Sequence, residues 1–162
     1  MEPKRLFDIL HVGLLVLIPG FAAWLFGQPL IFPSLGPSAF VLVLEQRRES
    51  SRRVLGGHLI GTISGFVAYQ ALARGLALGD VSPALSFDGL RVVASGVVSI
   101  VLTTWLMLTA RAYHAPACAT TLIVSLGLLS GIADLMLIMA AVAGMFLTHR
   151  LILLARKNGL KP

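Results

Sequence analysis

Along the chain, long apolar runs alternate with short clusters of charge. Four runs, Ile9 to Phe26, Val54 to Ala73, Val92 to Ala110 and Leu135 to Leu154, approach the roughly 20 residues that a helix needs to cross a hydrocarbon core. The last of them carries His149 and Arg150 near one end, where a long basic side chain reaches the membrane surface. Two shorter runs remain, Pro37 to Leu44 and Ala117 to Ser130, each preceded by a stretch rich in Pro with Gly or Ala. At about 1.5 Å per residue they make roughly 12 and 21 Å of helix, short of the roughly 30 Å core. The pattern therefore predicts four full spans and two broken or re-entrant helices.

Composition narrows the function classes. The 162 residues are 57% hydrophobic and 12% charged, where a soluble domain carries about 25% charged residues. That balance excludes a soluble enzyme, and it excludes disorder, which needs low hydrophobicity and high net charge. Residues 1–162 make a single transmembrane domain, with no room for a separate catalytic domain. The first apolar run lacks a small-residue cleavage site and is expected to be the first span. The single cysteine, Cys118, forms no intrachain disulfide.

The net charge of +6 is first a topology signal. No basic stretch is interleaved with aromatics, so nucleic acid is not an expected partner; the lipid bilayer is. If the N-terminus is cytoplasmic and both short segments cross, eleven of the 13 Lys and Arg residues fall inside: Lys4, Arg5, Arg47, Arg48, Arg52, Arg53, Arg111, Arg150, Arg156, Lys157 and Lys161. Only Arg74 and Arg91 fall outside. Re-entrant short segments would weaken that bias, so six passes in the cell (plasma or inner) membrane, with both termini cytoplasmic, is the expected topology. The halves, about 9–73 and about 92–154, then run in opposite senses, each ordered as full span, broken helix, full span. The expected fold is an all-α polytopic membrane protein of two inverted three-helix repeats. Laying one half on the other sets Ser38 on Thr120, hydroxyl on hydroxyl, 82 residues apart.

Candidate chemistry lies in the two Pro-rich lead-ins. Phe32-Pro33-Ser34-Leu35-Gly36-Pro37-Ser38-Ala39 and Tyr113-His114-Ala115-Pro116-Ala117-Cys118-Ala119-Thr120-Thr121 both place irregular backbone at membrane depth, where it must be buried in protein or line a wet cavity. Pro37 and Pro116 suit the first position of a helix. Two half-helix N-termini facing each other near the midplane would offer amide donors and partial positive charge to an anion. The candidate binding residues are Ser34, Gly36, Ser38, His114, Pro116, Thr120 and Thr121. The alternative is that prolines and small residues only shape helices for packing. No Lys or Arg stands at either start, which favours a small monovalent inorganic anion over a phosphate. No Asp or Glu lies mid-span, which disfavours cation transport.

Among the histidines, His114 and then His58 are candidates for proton coupling, because imidazole titrates near neutrality, whereas His11 is expected to pack against a neighbouring helix. Gly57, Gly61 and Gly65 form a small-residue ridge that predicts close helix contact within the protomer or across a homo-oligomer. The scattered His residues and one Cys lack metal-ligand spacing, and no cofactor or catalytic motif occurs; neither metal, cofactor nor enzymatic activity is expected.

Three motifs in order, Pro33-Ser34-Leu35-Gly36-Pro37-Ser38-Ala39, Gly56-Gly57-His58 and His114-Ala115-Pro116-Ala117-Cys118-Ala119-Thr120, resemble the HPP family of integral membrane proteins, over nearly the whole chain. The family is named for a His-Pro-Pro motif, which reads His-Ala-Pro here. Cys118 stands where glycine is often found. The resemblance implies nitrite transport. Transport of another small anion (nitrate, formate or bicarbonate), a channel mechanism, and a non-transporting scaffold or membrane enzyme are the readings left beside it.

Overall fold

The computed structural model describes residues 2–45, 49–80 and 84–159. Arg47, Arg48 and Lys161 of the basic set lie outside the described residues. Those described form six α-helices: α1 Pro3–Leu25, α2 Ile31–Leu44, α3 Ser51–Ala68, α4 Phe87–Thr109, α5 Ala117–Ser125 and α6 Ile132–Lys157. Local chemistry sets several starts. Ser50 caps α3 by accepting the Arg53 N–H at 3.3 Å, and Ser86 caps α4 by accepting that of Gly89 at 3.0 Å. Asp134 reaches back from the first turn of α6 to the Gly131 N–H.

Three helices, Lys4–Leu25, Phe87–Thr109 and Ile132–Lys157, are long and apolar enough to cross a membrane by length and composition. The expected fourth, α3, continues from Ala68 into a π-helical turn over Tyr69–Ala73 but is more polar in composition. Packing explains this. Helix α3 is the inner helix, touching α4, α5 and α6, and its His58, Thr62 and Ser64 are buried in protein and shielded from lipid. The lipid-facing burden falls on α1 and α4, where Leu17, Trp24, Val101 and Trp105 are exposed.

The expected opening of a half-helix at Pro37 is wrong. Helix α2 starts at Ile31, immediately after a turn in which the Ile31 and Phe32 N–H groups bond to the Gln28 and Pro29 carbonyls. Pro33 falls in the first turn, where a missing N–H costs nothing. Pro37 lies inside the helix and removes one backbone bond, to the Pro33 carbonyl. The second short helix does follow Pro116, and its nine residues make about 13 Å of helix.

Helix contacts repeat between the two halves. Helix α1 packs on α2 as α4 packs on α5, α1 on α6 as α4 on α3, and α2 meets α6 as α5 meets α3. The remaining pairs, α2 with α5 and α3 with α6, are each a helix and its own counterpart. Exchanging the halves therefore maps the packing onto itself, as a two-fold repeat requires. Two three-helix bodies result, α1/α2/α6 and α3/α4/α5, meeting along a seam of α2–α5 and α3–α6 contacts. The start of α1 adjoins the end of α6, where the His11 and His149 rings stack 5.1 Å apart and the Arg156 guanidinium lies 4.4 Å over the Phe7 ring. The opposite end joins the α3–α4 and α5–α6 connections through the Leu78 N–H and the Leu126 carbonyl, 2.9 Å apart.

One packing difference between the bodies has a clear cause. A Cβ on Gly61 would stand 2.6 Å from Thr121 Oγ1 and 2.9 Å from the Ala117 carbonyl oxygen, and one on Gly65 would stand 2.6 Å from the Thr121 carbonyl oxygen. On Gly57 it would meet the His114 Cβ at 2.8 Å. The ridge is thus filled by α5 and its lead-in from the same chain, the first of the two expected neighbours.

Candidate functional site

Four buried side chains converge on the seam. Helix α2 supplies Ser38, α3 supplies His58, the α4–α5 connection supplies His114 and α5 supplies Thr120; none is more than 2% exposed. His58 uses both ring nitrogens, Nε2 at 2.8 Å from Ser38 Oγ and Nδ1 at 2.8 Å from Thr120 Oγ1. Ser38 Oγ also lies 3.2 Å from His114 Nε2, and the two rings are 5.4 Å apart. A hydroxyl has one proton to donate, so Ser38 donates to one imidazole and accepts from the other, and the two tautomers are linked through it. Ser38 and Thr120, the hydroxyl pair matched between the halves, thus flank a single ring. His58 lies seven residues into α3, about 10 Å below its first turn.

Among the described residues, charge reaches this cluster at Glu49. Glu49, just before α3, places Oε2 3.7 Å from His114 Nδ1 and Oε1 3.9 Å from Arg53 Nη1. Its side chain is only 8% exposed. Beyond it opens a vestibule of about 710 Å³, lined by Glu45, Glu49, Arg53, Tyr113, His114 and Pro116 among others. An ordered path therefore runs from the vestibule through Glu49, His114, Ser38 and His58 to Thr120.

The sequence-derived candidates separate in the structure. Ser38, His58, His114 and Thr120 come together, and Pro116 forms part of the vestibule wall. Thr121 turns away to Thr103 Oγ1 at 3.1 Å and to the Ala117 carbonyl. Ser34 bonds the Ile31 carbonyl within its own helix, and a Cβ on Gly36 would meet nothing within 4 Å. The backbone-amide cradle is also corrected. Around Gly36 the amides belong to the body of α2, and the N–H groups of Ala117, Cys118 and Ala119 bond the carbonyls of His114, Ala115 and Pro116 at 3.0 to 3.1 Å. The donors available at the centre are side chains. Sequence reasoning missed Glu49 and took Arg53 only as one of the basic residues; the useful signal is an acidic residue placed directly before the Ser50 cap of the helix that carries His58. His11 does pack against a neighbouring helix, with its Nε2 3.3 Å from His149 Nδ1.

A family model for the HPP transmembrane region matches residues 4–157. The chain belongs to the HPP family. The match runs from the first turn of α1 to the end of α6, so the HPP region and the six-helix membrane fold are one unit. No curated protein and no solved structure matches the chain. In this HPP protein the His-Ala-Pro triplet divides its work: His114 enters the buried cluster, Pro116 is the residue from which α5 starts, and Ala115 is exposed on the vestibule wall.

Proposed function

We propose that this HPP protein carries a small monovalent anion, with nitrite the first candidate, across the cell membrane, and that Ser38, His58, His114 and Thr120 form its binding centre. The observation that supports this reading is the buried hydroxyl–imidazole cluster at the foot of the vestibule. Its members are neutral donors and acceptors that a single negative charge can share, and adding one proton turns an imidazole into a donor at both nitrogens. A doubly charged ligand would need a fixed cation at the same depth. Nitrite itself rests on the family resemblance. The vestibule opens at the end that carries Lys4, Arg5, Arg52, Arg53, Arg111, Arg150, Arg156 and Lys157, so the positive-inside rule assigns it, with both termini, to the cytoplasm.

Purified protein in proteoliposomes is expected to give saturable nitrite uptake above that of protein-free vesicles in a stopped-flow assay, with nitrate, formate and bicarbonate competing to different degrees. An absence of flux for all four anions overturns the reading. A cysteine at Ser51 (Ser51→Cys, on Cys118→Ala) is expected to react with an impermeant maleimide only after cells are opened. Labelling in intact cells would reverse the orientation.

A further inference from the structure

We infer that Glu49 and His114 form a proton-loading dyad: one proton taken from the vestibule sits on His114 with the Glu49 carboxylate as its counter-ion, and the anion crosses paired with it. This rests on the anion-transport reading and names its coupling.

Position is the first argument. Among the described residues, Glu49 is the acid in contact with the cluster, and it stands between vestibule and centre, with Oε2 at 3.7 Å from His114 Nδ1. The other ring nitrogen of His114 faces Ser38, so a protonated ring would present Nδ1–H to Glu49 and Nε2–H to the centre. Among the described residues, the charged and titratable groups facing the dyad include Arg53 from α3, Glu45 from the end of α2, Tyr113 from the α4–α5 connection and, beyond Ser38, His58.

Charge balance is the second. Among the described residues, Arg53 and Glu49 offset each other before loading and the four-residue centre is neutral. An anion entering alone would add one uncompensated buried charge, which is costly. With one proton on His114, the imidazolium lies between two negative groups, Glu49 on one side and the anion on the other, and the anion adds no net charge. In the loading step an O–H bond of a vestibule hydronium ion breaks, an N–H bond forms on the imidazole lone pair and water is left. In the unloading step the Nε2–H bond that faces the centre breaks, its proton leaves on the anion as the conjugate acid, nitrous acid for nitrite, and the ring is left neutral with its hydrogen on Nδ1. A carboxylate at this distance favours the charged ring and works against the burial that disfavours it.

The test is the ratio of nitrite flux with and without an inward proton gradient, in proteoliposomes clamped at zero potential. The wild type is expected to show a ratio well above one, Glu49→Gln a ratio of one, and Asp88→Asn, at the far end, the wild-type ratio. A Glu49→Gln protein with the wild-type ratio overturns the dyad. A wild type that passes no nitrite overturns the transport reading, a separate failure. Should Glu49→Gln not fold, Glu49→Asp decides: its shorter side chain withdraws the carboxylate, and the flux–pH profile is expected to move to lower pH by about one unit. An unmoved profile overturns the inference.

Discussion

Gly65→Leu is expected to abolish the folded, monodisperse protein, and Gly61→Leu to do the same, whereas Gly13→Ala leaves it intact. The reason is what each new side chain would meet. At Gly65 a Cβ alone lies 2.6 Å from the Thr121 carbonyl oxygen, 3.0 Å from the Val124 Cβ and 3.3 Å from the Ser125 nitrogen. Backbone atoms of α5 cannot rotate away, so α5 must lift off α3 and take Thr120 away from His58. Overpacking by single methylenes costs about 1–3 kcal/mol, and leucine brings several carbons against a total stability of roughly 5–15 kcal/mol. Gly13 has nothing within 4 Å, and alanine there gains up to about 1 kcal/mol of helix propensity. Gel filtration in detergent, with thermal unfolding followed by Trp24 and Trp105 fluorescence, reads both arms. An unshifted melting curve for Gly65→Leu would refute the α3–α5 contact.

Ser38→Ala is expected to lower nitrite flux about tenfold or more, and Ser38→Asp to eliminate it. The Ser38 hydroxyl is shared by two buried imidazoles, so its removal takes a partner from both rings at once. Each buried nitrogen left unsatisfied costs about 1–3 kcal/mol, and about 1.4 kcal/mol is a factor of ten. Aspartate would put a permanent anion between the rings, where the transported one has to sit. Ser38→Thr restores the hydroxyl and is expected to recover much of the flux. Stopped-flow uptake beside a melting curve separates loss of function from loss of fold. Wild-type flux in both Ser38→Ala and Ser38→Asp would remove the cluster from the transport path.

The order of six helices was legible because apolar runs and charge clusters are properties of the chain in one dimension. So were Ser38, His58, His114 and Thr120, since polar side chains at membrane depth are costly unless they have partners. Whether Pro37 opens a helix or lies within one was not legible, because the answer depends on the turn at Gln28 and Pro29, nine and eight residues earlier. The glycine ridge announced a close neighbour without saying which, as any helix with a matching surface could have filled it. Glu49 was hidden for a different reason: an acid among arginines reads the same on a solvated loop and on a cavity wall, and only the fold of the α4–α5 connection brings His114 against it.

The glycine-mediated contact also divides the four cluster residues mechanically. Helices α3 and α5 touch nearly backbone to backbone, so His58 and Thr120, one on each, belong to a common frame, with His114 held beside the same ridge by Gly57. Ser38 alone rides on the other body, which meets that frame across the more lightly packed seam. Any slip of one body past the other therefore leaves the His58–Thr120 bond whole and first breaks the two bonds of Ser38. In such a slip the serine is the pawl and the imidazoles are the teeth it catches, so the register of the two bodies and the hydrogen-bonding state of the centre change in one step.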